Sequence, residues 1–279
     1  MKIDSHHHFW KFNTVEYGWI DDAMKILQKD YFPVHLIPEL KKEDFEGSVV
    51  VQARQSLEET KGLLQMADDY QWIKGVVGWV DLCATDIDNQ LADLSKNKKL
   101  VGVRHVIHDE TDDRFMLRDD FRYGISCLKK YDLAYDLLLF PKHLGFAATL
   151  VAEFRDQRFV IDHISKPLIG KGILEPWESE MRLLAQFPNV WCKLSGMVTE
   201  AVWDDWNEKT FEPYLDVVFD AFGPDRLMIG SDWPVCLLGG TYSEVISIVK
   251  NYIAKCDTET QNKILGENCC QFYKLYSNS

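Results

Sequence analysis

Short runs of continuous hydrophobic residues alternate along this chain with longer segments whose apolar positions recur every three or four residues. Seven of the runs are SVVVQA (48–53), IKGVVGWV (73–80), LVGVRH (100–105), LAYDLLL (133–139), RFVIDHI (158–164), VWCKLS (190–195) and RLMIGS (226–231). The first ten residues, MKIDSHHHFW, supply one more. Runs of strand length that are apolar on both faces predict parallel strands covered by helices on either side. The spacing between them predicts helices over 57–70, 86–96, 119–130, 142–154, 177–186, 206–222, 243–254 and 258–273. In the first of these Leu57, Leu63, Leu64, Met66 and Ala67 fall on one stripe, and Pro141 sits where a first helical turn tolerates proline. Eight strand–helix units in 279 residues predict one α/β domain, residues 1–279, folded as a (β/α)8 TIM barrel. The rival is a doubly wound open sheet, which a missing Gly-rich phosphate turn after the early strands weakens.

One segment breaks the rhythm. Residues 11–38 are rich in aromatics and punctuated by glycine and proline, with Phe12, Tyr17, Trp19 and Phe32 close to Trp10. They read either as a binding loop or as a cover over one end of the fold. His35 reads as structural.

Composition narrows the partners. The formal charge of −13 disfavours nucleic acid and anionic membranes, because phosphate binding needs a basic surface. No apolar run is long enough to span a bilayer, and there is no signal-peptide pattern. The seven cysteines include no CxxC pair, and Cys269 and Cys270 are adjacent. That suits free thiols in a reducing cytoplasm. The partner expected is therefore a small molecule, with homo-oligomerisation left open.

Candidate chemistry collects at the ends of the predicted strands, where (β/α)8 barrels carry their active sites. On a first strand His6 and His8 share a face and His7 points the other way, so two imidazoles can grip one cation or one substrate oxygen. Reading on gives Gln52 and Arg54, Asp81, then Arg104, His105 and His108, then Asp136, His163, Lys193 with Ser195, and Asp232 with Trp233. Asp81 reads as a cap. Asp136 reads as pairing with Arg104 or lining the barrel interior, and His108 and Arg54 read as loop residues. Asp232 ends an apolar strand, where an unpaired carboxylate is costly to bury.

Asp-x-His-x-His on the first strand, a His ending the sixth and an Asp ending the eighth resemble the amidohydrolase superfamily. DSHHHFW, VVVQAR, GVRH, IDHISKP, CKLSGM and GSDWPV together resemble its amidohydrolase-related (amidohydrolase 2) branch, over nearly the whole chain. The branch includes L-fuconolactonase-type and L-rhamnono-lactonase-type sugar lactonases. The resemblance implies a hydrolase that opens a sugar-acid lactone, such as L-fuconolactone or L-rhamnonolactone. The alternatives are a metal-dependent decarboxylase of the same branch or a sugar-binding barrel without chemistry. Asp232 is the implied base acting on water. His6, His8 and His163 are implied catalytic groups that, with Asp232, hold one Zn-like divalent metal, or donate hydrogen bonds to the carbonyl if there is none. The fourth run has no lysine, so a two-metal site is not expected. Arg104, His105, Lys193, Trp10 and Trp233 are expected to contact substrate.

Overall fold

The computed structural model describes residues 1–275. Eight strands pair in parallel in sequence order: Ile3–His7 (β1), Gly47–Val51 (β2), Ile73–Gly78 (β3), Leu100–His105 (β4), Ala134–Leu137 (β5), Phe159–Ile161 (β6), Val190–Leu194 (β7) and Leu227–Ile229 (β8). Helices follow them at Leu57–Asp69, Ile87–Leu94, Asp119–Leu128, Leu144–Glu153, Trp177–Ala185, Glu208–Phe222 and Tyr242–Ile253, each within a few residues of its predicted span. The continuous apolar runs are strands buried on both sides, as the pattern requires.

The ring closes in an unusual place. β8 is too short to pair fully with β1, and the join is made by residues just beyond it. The backbone N–H of Asp232 donates to the His6 carbonyl at 2.8 Å, and that of His8 donates to the Trp233 carbonyl at 2.7 Å. Side chains reinforce this seam. Asp4 Oδ2 accepts from Ser231 Oγ at 2.6 Å and from the Tyr242 hydroxyl at 3.0 Å, and Asp4 Oδ1 accepts from the Ser231 N–H at 2.9 Å. Burial pushes the Asp4 carboxyl up to about 6 in spite of these donors.

Inside the barrel Ile3, Val49, Val51, Val77, Ala134, Val160 and Met228 form one cluster with Cys269, Phe272 and Tyr273, residues of the helix Asn268–Tyr273 that seals the lower end. The predicted last helix, 258–273, is interrupted by a wide turn at Lys263–Glu267. The break follows from contact: a side chain at Gly266 would collide with the Met1 carbonyl, so the backbone itself packs against the start of β1. Starting inside 11–38 and running past it, the structure holds a helix that the rhythm did not predict, Pro33–Lys42, with Pro33 in its first turn and Leu36 and Leu40 buried. His35 serves that helix structurally, accepting from the Phe32 N–H at 3.0 Å.

No helix among the described residues is long and apolar enough to cross a membrane, and all seven cysteines are unpaired thiols.

Candidate active site

Three imidazoles and one carboxylate meet where the seam closes. A register shift between Asp4 and His7 lets Asp4 turn outward to Tyr242 while His6 faces the barrel interior. His6 Nε2 and His8 Nε2 stand 3.2 Å apart, and His7 points away to Ser48 Oγ at 2.7 Å. Asp232 Oδ1 lies 3.3 Å from His8 Nε2, 3.9 Å from His6 Nε2 and 3.8 Å from His163 Nε2.

His163 arrives on a turn rather than on a strand. β6 ends at Ile161, and residues His163, Ile164, Ser165 and Lys166 all take left-handed backbone angles, φ 45° to 60°. Left-handed conformation costs an L-residue about 1–2 kcal/mol, most awkwardly at a β-branched position such as Ile164. The surroundings hold it there. Trp177 Nε1 donates to the Ile164 carbonyl at 2.6 Å, and the Lys166 N–H donates back to the His163 carbonyl at 2.8 Å. Gly196, itself at φ 64°, leaves the gap that the His163 ring fills, since a Cβ there would strike the imidazole.

The far nitrogens of the histidines are all engaged. His8 Nδ1 donates to the Val51 carbonyl at 2.8 Å, which leaves Nε2 a bare lone pair. His163 Nδ1 meets Ser195 Oγ at 2.9 Å. His6 Nδ1 has both an acceptor, Asp162 Oδ1 at 3.3 Å, and a donor, Lys193 Nζ at 3.2 Å, so either tautomer is satisfied. Burial holds His6 and His163 well below the ordinary histidine range, keeping both rings neutral. Neutral imidazoles with Nε2 aimed at a common point are metal-ligand geometry, with the partners on Nδ1 fixing orientation. Ligands about 2.0–2.1 Å from a tetrahedral zinc stand roughly 3.3 Å from one another, close to the spacings above. His6, His8 and Asp232 therefore fit one divalent ion; His163, with Nε2 3.8 Å from Asp232 Oδ1, forms a second candidate ligand group with His6 and Asp162.

Beneath this group lies a floor of buried charge. Lys193 Nζ is 2.5 Å from Asp136 Oδ2 and 3.0 Å from Asp162 Oδ1, all with no exposure. The Tyr273 hydroxyl donates to Asp136 at 2.7 Å. Arg104 Nη1 reaches Asp162 Oδ2 at 3.0 Å, and its Nη2 donates to the Gln52 carbonyl at 2.5 Å. Burial alone would raise Asp162, yet Lys193, His6 and Arg104 hold it well below the usual carboxylate range. Burial pushes Asp136 up to about 6 even against the pull of Lys193.

Above the imidazoles a cavity of about 310 Å³ opens to solvent. His8, His163, Asp232 and Arg104 form its base, and Lys166, Glu200, His108, Trp19 and Trp203 stand on its walls. Thus Asp232, His8, His163 and Arg104 are where the sequence put them, while His6 lies immediately below. Four expected substrate contacts are placed elsewhere. Lys193 is enclosed in the floor, its charge consumed by two aspartates. Trp10 is buried against Tyr17, Trp19 and Tyr31, its N–H donating to the Lys29 carbonyl at 3.0 Å. Trp233 packs edge-on against Phe9 and Tyr31. His105 stacks on Phe115 and binds Glu110 at 2.7 Å.

Asp136 lines the interior and pairs with Lys193; the partner of Arg104 is Asp162. Sequence reasoning passed over Asp4, Asp162, Lys166 and Glu200. Asp162 precedes His163 in the quoted IDHISKP run, so its place was visible, but nothing in the pattern showed its charge partners. His108, read as a loop residue, stacks on Phe140 and faces the cavity. Segment 11–38 serves both readings: Trp19 and Met24 line the cavity, while Tyr17 and Tyr31 are buried beneath it.

Relatives match this chain over nearly its whole length. The chain is 38% identical to an L-fucono-1,5-lactonase of Burkholderia multivorans, covering 99% of this chain and 96% of that one. It is 34% identical to an L-fucono-1,5-lactonase of Burkholderia ambifaria, with the same coverage of both. Among solved structures, an amidohydrolase of Burkholderia multivorans crystallised with bound zinc superimposes with a TM-score of 0.96, at 38% identity over 99% of this chain and 100% of that one. The amidohydrolase family profile matches residues 3–275, and with that span, this barrel and the histidine–aspartate cluster at its mouth, the chain belongs to the amidohydrolase family.

Proposed function

We propose that this protein is a sugar lactonase that hydrolyses an aldonolactone of the L-fucono-1,5-lactone kind, with Asp232 as the base acting on water. The observation that carries the reading is the convergence of Asp232 with His6, His8 and His163 at the base of an open cavity. Full-length identity to two L-fucono-1,5-lactonases supports lactone chemistry over decarboxylation.

Lactone hydrolysis needs an activated water, relief of charge on the carbonyl oxygen and a proton for the departing ring oxygen. Asp232 accepts the proton of a water standing over the lactone carbonyl and later returns it to the leaving alkoxide. Arg104, held between Asp162 and the Gln52 carbonyl, presents a fixed positive charge at the cavity base and binds a substrate oxygen. When bound, one Zn-like ion on His6, His8, His163 and Asp232 would polarise the carbonyl. The charges favour a single ion. Lys193 and Arg104 offset Asp136 and Asp162, so with neutral imidazoles the single negative charge of Asp232 remains for a ligand. Without an ion, hydrogen bonds can run in one direction from Lys193 through His6 Nδ1 and Nε2 to His8 Nε2.

A pH-indicator hydrolysis screen over aldonolactones, with and without chelator, tests this reading. Turnover of at least one aldonolactone is expected, and elemental analysis should return at most one ion per chain. No turnover of any lactone by folded protein would remove the reading. If chelation leaves the rate unchanged, the histidines act through hydrogen bonds.

A further inference from the structure

The reacting centre occupies only the base of the cavity. Higher on the wall, Lys166 Nζ donates to Glu200 Oε1 at 2.7 Å, and both side chains border the open space. Each keeps partial solvent contact, 15% for Lys166 and 20% for Glu200, so the pair is reachable from the cavity.

The pair sits on two loops that are tied at both ends. Lys166 is the last of the four left-handed residues that begin at His163, and Glu200 ends the short turn Val198–Glu200 after β7. At the lower end His163 meets Ser195; at the upper end Lys166 meets Glu200. One strained turn thus sets the height of the ion pair above the reacting centre. A single ion pair that keeps solvent contact contributes little to stability, so stability alone gives weak reason for the strain.

The chemistry of the pair matches what the base of the cavity lacks. An ammonium with one proton committed to Glu200 has two more to donate, and the glutamate has a second oxygen to accept with. A donor and an acceptor a hydrogen-bond length apart are complementary to two hydroxyls on neighbouring ring carbons, one accepting and one donating. Much of the remaining wall is apolar: Leu138, Val235, Leu238 and Met24. We propose that Lys166 and Glu200 form a clamp for a vicinal diol of the substrate and select polyhydroxylated lactones over deoxygenated ones. This rests on the lactonase reading.

The test compares two substrates in one assay: an aldonolactone that the wild type hydrolyses and its analogue lacking one hydroxyl of the vicinal pair, across the set of deoxy positions. Lys166→Met and Glu200→Gln should each lower kcat/KM for the full lactone about 10–100-fold, chiefly through KM. For one deoxy analogue the same variants should lose less than about threefold, because the contact is already absent. Lys166→Arg should restore part of the preference. If every substrate suffers equally, or the loss is in kcat alone, the pair only props the His163 turn and the clamp is refuted while the lactonase reading stands. Circular dichroism and thermal melting of each variant separate misfolding from lost recognition; should Lys166→Met fail to fold, Glu200→Gln carries the same comparison. A wild type that hydrolyses no lactone would fell the lactonase reading and the clamp with it.

Discussion

Two layers of polar groups lie one above the other in this barrel, built on opposite rules. In the lower layer Lys193, Asp136, Asp162, Arg104 and Tyr273 satisfy one another, with opposite charges in contact and no exposure at Lys193, Asp136 or Asp162. In the upper layer His6, His8 and His163 turn nitrogen atoms toward a shared point along with the Asp232 carboxylate. The lower layer has few valences left over. The upper layer is arranged around one that is left over. Rigidity in the first makes the open valence of the second usable, since a site held loosely reorganises instead of reacting.

Breaking the upper layer should cost chemistry and spare the fold. Asp232→Asn keeps the shape and removes the proton acceptor, so kcat should fall roughly 10²–10⁴-fold with an unchanged melting curve and a smaller change in KM. Near-normal turnover by folded Asp232→Asn would move the base to His163.

Breaking the lower layer should do the opposite. Lys193→Met leaves two buried carboxylates without their shared cation, and a stability loss of about 3–5 kcal/mol is expected in chemical denaturation. Replacing Asp136 by Leu in the same chain should recover part of it. If Lys193→Met is as stable as the wild type but inactive, Lys193 belongs to the chemistry and the two layers are one.

Arg104 borders both layers and sharpens the boundary. Arg104→Met should raise KM by about 10–100-fold, the worth of a charged hydrogen bond, with a lesser stability loss from freeing Asp162.

The smallest effect is on pH. His6, His7 and His163 have folded-state pKa values below those of the unfolded chain, so they add stability above about 6.5 that is lost on acidification. Asp4 and Asp136, raised to about 6, work in the other sense: the stability they favour is present below about 4 and lost as pH rises through 6. Burial also lowers His105, His108 and His143 and raises Glu59 and Asp109, so six histidines against four carboxylates predict a melting temperature that falls from pH 7 to pH 5. A melting temperature that rises over that range would mean the imidazoles are charged in the native state.

The upper layer was more legible in the sequence than the lower. His6 and His8 could be placed together because strand alternation fixes which residues share a face. Asp232 stood out because a carboxylate at the end of an apolar run needs a reason. The floor was hidden because its partners come from β5, β6, β7 and the last helix, and no local period relates Asp136, Asp162, Lys193 and Tyr273. Lys193 was misplaced for the same reason: a lysine near a strand end suggests a substrate contact until the two aspartates beside it are known. Trp10 and Trp233 were misplaced because aromatic rings serve packing and stacking equally well in a linear pattern. The left-handed turn at His163–Lys166 leaves no mark in composition either, since none of its four residues is glycine.

The seam also sets an order of events in the making of the protein. Asp4 and Ser231 are 227 positions apart, and the backbone pairs that place His8 beside Asp232 span a similar length of chain. During synthesis the neighbouring strand pairs from β1–β2 through β6–β7 can form before β8 emerges, with the first strand waiting along one open edge. Such distant contacts form slowly because the whole intervening loop must be ordered first. The imidazoles of β1 therefore spend translation without their carboxylate, and competence appears in a single late step. A ribosome-tethered chain ending before residue 230 should be largely compact yet catalytically silent.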